Sequence, residues 1–147
     1  MNGNATKIAR FVERQCFGPV DDLGEFEADL KTIGWKAGRT HTANAANPLE
    51  LDVWELPNAE LLRGQSVKGV WTCALMVKPA VAPALNEMRS ALSHVTKHAP
   101  DKNEEWWWTP SLTRRLHLTA DREAGPAATM LINVEIYRLP WWRGVLE

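Results

Sequence analysis

The sequence predicts an α+β domain: an antiparallel sheet of about five strands with helices packed on it, in the order α-α-β-β-α-β-β-β. Three observations lead there. Residues 6–17 and 81–95 repeat apolar side chains at helical spacing. Residues 112–119 and 129–139 alternate apolar and polar side chains and match as a hairpin. The composition, 45% hydrophobic and 24% charged over 147 residues, is that of one globular core, so residues 1–147 are read as a single domain.

The first helix is expected from about Thr6 to Phe17. Ile8, Phe11, Val12 and Cys16 form its stripe, and Gly18-Pro19 ends it. A second helix is expected from Leu23 to Ile33. Asp22 and Glu25 give it a capping-box-like start, and Gly34 suits a left-handed C-cap. Residues 36–48, rich in Gly, Thr, Ala and Asn, read as a long loop, as do residues 99–105. Leu49–Trp54 alternates as a strand, and Pro57-Asn58 signals a turn. Val67–Val77 is apolar on both faces, the mark of a central strand covered on both sides. The third helix opens after Lys78-Pro79, with Pro83 in its first turn and Val81, Leu85, Met88, Leu92 and Val95 as its seam. Glu105–Thr109 is a tryptophan strand. The final hairpin follows, with Asp121–Pro126 as its loop.

This element order is similar to the profilin-like topology of PAS and GAF sensor domains, in which two strands, helical material and three strands build a five-stranded sheet. The similarity is one of order alone, and an order does not carry a function.

Charge and leader content exclude several classes. The net charge is −1, and no basic run is longer than Arg114-Arg115, so nucleic acid is not an expected partner. No apolar run approaches the ~20 residues that cross a bilayer, so no membrane is expected. The start lacks a basic and apolar leader. The expected location is therefore cytoplasmic, or periplasmic for a trimmed mature form. Cys16 and Cys73 show no metal or redox spacing. They are read as buried thiols in a reducing compartment, or as one bridge across helix and sheet in an oxidising one.

Eight tryptophans against one tyrosine and three phenylalanines are the strongest anomaly. In a strand, Trp106 and Trp108 share one face and Trp107 takes the other. They are either buried from both sides or an aromatic platform for a ring ligand, a sugar or a protein. Trp141-Trp142 should dock on the domain itself, or on a second copy or a ligand.

His94 and His98 have the i, i+4 spacing of paired metal ligands, but without a neighbouring Glu they read as a solvated helix face; no metal is expected. His117, Arg115, Thr119, Asn133, Glu135 and Tyr137 fall on one face of the expected hairpin. There His117 and Glu135 could act as acid and base and Arg115 could hold an anion, although solvated cross-strand pairs look the same. Asp21-Asp22 reads as helix capping and Glu104-Glu105 as a soluble loop. Nucleophile, phosphate-binding and dinucleotide motifs are missing, so no cofactor is expected.

The expectation is a small binding or interaction domain that uses Trp106, Trp107, Trp108, Trp141 and Trp142 for a ligand or protein partner, a second copy among them. The alternative is a small enzyme built on His117, Glu135 and Arg115. A structural or immunity-type protein that binds one partner protein is the third class.

Overall fold

A computed structural model describes residues 2–17, 36–42, 49–66, 70–111, 114–122 and 129–139. The expected helix at 23–33 and the Trp141-Trp142 pair lie outside the described residues.

Helix α1, Asn2–Val12, runs on into a π-helical turn, Glu13–Phe17. Its buried stripe is Ala5, Ala9, Val12 and Cys16, with Ile8, Phe11 and Phe17 packed at the margin. A π turn takes more residues per turn than an α turn. Gln15 and Cys16 are consequently both buried at the end of the helix.

Helix α2, Leu85–Thr96, begins later than the sequence suggests. Pro83 has no amide and biases Ala82 away from helical geometry. Residues 78–82 instead close a separate turn, in which the amides of Val81 and Ala82 reach the Lys78 carbonyl at 3.1 Å each. Met88 and Leu92 are fully buried; Val81, Leu85 and Val95 pack beside them, as their spacing predicts. α1 packs on α2, and α2 also touches the sheet.

Among the described residues the sheet has seven strands rather than about five. They are β1 (Lys36–Thr42), β2 (Leu49–Leu56), β3 (Ala59–Ser66), β4 (Trp71–Val77), β5 (Glu105–Ser111), β6 (Arg114–Arg122) and β7 (Met130–Arg138). Every pair is antiparallel, in the order β1-β2-β3-β4-β7-β6-β5. Two meanders thus meet where β4 pairs with β7, and α2 makes the crossover between them. The two strands expected before the helix are β2 and β4, with the unexpected β3 between them, and the helix and three strands that follow are α2-β5-β6-β7. β1 and β2 extend the sheet at one end.

One sheet face carries the helices and the core. Trp54, Leu61, Leu75, Ile132 and Ala120 form a continuous cross-strand row on it. Cys73, Val134, Leu118 and Trp106 form the next. Each of these side chains is at least 97% buried, and each large one contributes about 1.5–3 kcal/mol by leaving water.

β4 is central, but its two faces differ. Trp71, Cys73, Leu75 and Val77 are buried on the helix side, whereas Thr72 and Met76 are only half-buried on the other. Complete cover on both sides is therefore corrected to complete cover on one.

A disulfide joins Cys16 of the π turn to Cys73 of β4, with Cα atoms 5.5 Å apart. Of the two sequence readings of these cysteines, the structure takes the bridge. No helix among the described residues is long and apolar enough to cross a membrane.

Candidate functional site

The expected site residues Arg115, His117 and Glu135, with Trp107, lie on β5, β6 and β7, on the face opposite the helices. Alternation along β6 sends Leu116, Leu118 and Ala120 into the core. Arg115, His117 and Thr119 therefore fall on the opposite face. Register aligns His117 with Glu135 of β7 on one side and Trp107 of β5 on the other. Thr119 aligns with Asn133 and Glu105, and Arg115 with Tyr137. The expected constellation is thus brought onto one surface.

His117 is its hub, with a side chain only 12% exposed. Its Nδ1 lies 3.0 Å from Glu135 Oε1 in hydrogen-bond geometry. An ionised carboxylate can only accept, so Nδ1 carries the proton and donates. Its Nε2 lies 3.2 Å from Glu105 Oε1 but makes no hydrogen bond there; the contact is one of distance, without donor alignment. The second Glu135 oxygen accepts from the Tyr137 hydroxyl at 3.1 Å. Burial, and then the charge and hydrogen bond of Glu135, raise the pKa of that phenol above its ordinary 10.0, while Arg115 opposes the rise.

The indole of Trp107 lies parallel to the His117 ring, with centroids 3.8 Å apart at 12°. The Arg115 guanidinium stands 4.5 Å from the centre of the same indole, a cation–π contact. The Tyr137 ring lies 6.2 Å away at 23°. Trp107 nevertheless remains 38% exposed. The result is a held aromatic surface with a guanidinium beside it and, at the two nitrogens of the stacked imidazole, two carboxylates.

The other expected tryptophans divide. Trp106 has no exposed surface, and its Nε1 donates to Ser93 Oγ of α2 at 3.1 Å, so it belongs to the core and is corrected as a contact residue. Trp108 is half-buried, edge-on to Phe17 at 5.0 Å and stacked on His98 at 6.2 Å. It closes the end of the π turn. Trp54 and Trp71 are core residues as well.

His94 and His98 do not share a helix face. α2 ends at Thr96, and Lys97 takes a left-handed φ of 60° between them. Among the described residues no group of three His, Cys, Asp or Glu side chains has metal-binding geometry.

The sequence makes Glu105 the first residue of the tryptophan strand but reads it, with Glu104, as a solubilising acid and not as a site residue. It opens β5 and is half-buried beside His117. The signal was available: Glu105 is two residues from Trp107 and so shares its face. The expected loop is present at residues 97–104 and ends in a tight turn before Glu105. Asp101 Oδ1 accepts from the Asn103 and Glu105 amides at 2.8 and 3.1 Å, and Glu104 takes a φ of 60°. Comparison with protein families, curated proteins and solved structures finds no match to this chain.

Proposed function

We propose that this chain is a small binding domain whose contact surface is the β5–β6–β7 face around Trp107, taking a small molecule or a protein partner, a second copy among the latter. One observation carries this: Trp107 is a large aromatic left 38% exposed on the face away from the helices, where Leu131 of β7 is also 36% exposed, although the same strand buries its neighbour Trp106 completely. Its orientation is fixed by His117 and Arg115. A pre-oriented indole loses little freedom on binding, which is why such residues concentrate affinity.

The test is a thermal-shift panel of nucleotides, sugars and aromatic acids, followed by size-exclusion chromatography over a concentration series. A ligand that binds only the folded state adds about 2.7 kcal/mol of stability at a hundredfold excess over Kd, and so raises the midpoint. Trp107→Ala should abolish the shift, or the self-association, with little loss of stability. A flat panel with a monomer at every concentration retires the reading.

The second reading is an enzyme with His117 and Glu135 as acid–base groups and Arg115 as anion anchor. The 3.0 Å His117–Glu135 hydrogen bond favours it. Against it, Trp107 covers a face of the imidazole and Nε2 points at Glu105. Diethyl pyrocarbonate mapping separates the two readings. Rapid modification of His117 supports an approachable imidazole; protection of His117 while the exposed His94 and His98 react ends the enzyme reading.

A further inference from the structure

A groove of about 340 Å³ lies between α1, the β2–β3 turn and the end of β4, on the helix side of the sheet and away from Trp107. Ile8 and Phe11 wall it from α1, Leu75 and Val77 from β4, and Val81 from the turn after β4. Ile8, Phe11 and Val81 are only partly buried. The groove is therefore accessible apolar surface of the size that small ligands use.

Its charge is one-sided. Among the described residues Lys7 is the one charged residue that lines it, and no described carboxylate pairs with Lys7. A second ammonium, Lys78 Nζ, sits at the rim, donating to the Pro57 carbonyl at 2.9 Å. The acids nearest in sequence, Glu55 and Glu60, are paired across the β2–β3 hairpin. Strand alternation puts them on the opposite face from Trp54 and Leu61, and so away from the groove.

We propose that this groove binds a free medium-chain fatty acid. The hydrocarbon chain lies against Ile8, Phe11, Leu75, Val77 and Val81, and the carboxylate meets Lys7. An apolar trough lined by Lys7, with no acid among its described lining residues, selects an apolar anion over an apolar alcohol or amine. Affinity should rise about fourfold for each methylene that enters the groove.

The experiment is a methyl-NMR titration of the full chain with hexanoate, octanoate, octanol and octylammonium, each below its micelle concentration. Octanoate should shift the Ile8, Val77 and Val81 methyls saturably. It should bind more tightly than hexanoate and more tightly than octylammonium. Lys7→Glu, at an exposed position that folding does not need, should weaken octanoate about fivefold and spare octanol. Val81→Phe should fill the groove and weaken both. Trp107→Ala should change neither, which separates this site from the aromatic face. Groove methyls that ignore octanoate, equal binding of octanoate and octylammonium, or an octanoate affinity indifferent to Lys7→Glu would each overturn the proposal.

Discussion

The Cys16–Cys73 bridge makes the largest single prediction. It closes a loop of 57 residues between the end of the first helix and the central strand. A cross-link acts chiefly on the unfolded chain, whose freedom falls with the logarithm of loop length. For a loop of this length the relation gives about 4 kcal/mol at 25 °C. Both residues are at least 98% buried, so Cys16→Ala with Cys73→Ala is the appropriate pair of changes, leaving no polar group behind. With a urea slope of about 2 kcal/mol/M for a chain of this size, the midpoint should fall by about 2 M. The slope itself should rise, because an unlinked denatured chain exposes more surface. Wild-type protein in dithiothreitol should match the double variant. A midpoint shift under about 0.5 M would refute the argument. So would two alkylatable thiols in denaturant without reductant.

Three further outcomes follow from the same packing. Tyr137 is the sole tyrosine, so phenolate absorbance reads it alone. Its titration should centre above 10.0, and Glu135→Gln should lower the midpoint by removing the charge that opposes ionisation. Because the folded pKa lies above the unfolded one, the linked stability is complete below pH 10.0 and is lost as pH climbs through the folded value; Tyr137→Phe should abolish that alkaline slope in urea midpoints. Trp106→Ala should cost about 3–5 kcal/mol and Ser93→Ala about 1 kcal/mol, measured by denaturation, since the first opens a core cavity and the second removes one hydrogen bond. Trp107→Ala should cost about 1 kcal/mol or less by the same assay, as the loss of one cross-strand pair; a cost near that of Trp106 would make Trp107 a core residue.

What was legible depended on how cleanly each strand divides its two faces. β6 alternates from Arg115 to Ala120 and β7 from Ile132 to Tyr137, with Leu131 as an exception on the outer face, so their hairpin and the His117–Glu135 pairing could be read directly. β1, Lys36–Thr42, carries no alternating large apolar residues because it lies at the sheet edge, and so it read as loop. β3 was missed for a different reason. Its core face runs Ala59, Leu61, Arg63, and a buried arginine stands where the pattern requires an apolar residue. The late start of α2 came from Pro83, whose effect on Ala82 outweighed the apolar period. The cysteines were undecidable from spacing, because only the fold brings residues 57 apart to 5.5 Å. For the tryptophan run the sequence left burial from both sides and an aromatic platform both open, because alternation separates Trp107 from Trp106 and Trp108 without saying which face is covered; Trp106 fills the core, as Trp54 and Trp71 do, and Trp107 does not.

The location of Trp107 narrows how a partner could approach. β5 is an edge strand, with no second strand paired to it among the described residues. An exposed aromatic edge invites pairing with any other chain. This edge is blunted: Pro110 supplies no amide, and the register breaks between Trp108 and Ser111. Strand addition along its full length is therefore disfavoured. The indole itself does not project along the edge but lies over the sheet, against His117 and Arg115. A partner that uses Trp107 must come down on the face, where it would meet the indole and the guanidinium together. A flat, electron-rich or anionic group fits that pair better than an extended backbone does, and Arg115→Ala should then weaken binding alongside Trp107→Ala. If Trp107→Ala removes binding while Arg115→Ala leaves it intact, the guanidinium serves only to hold the indole, and charge has no part in recognition.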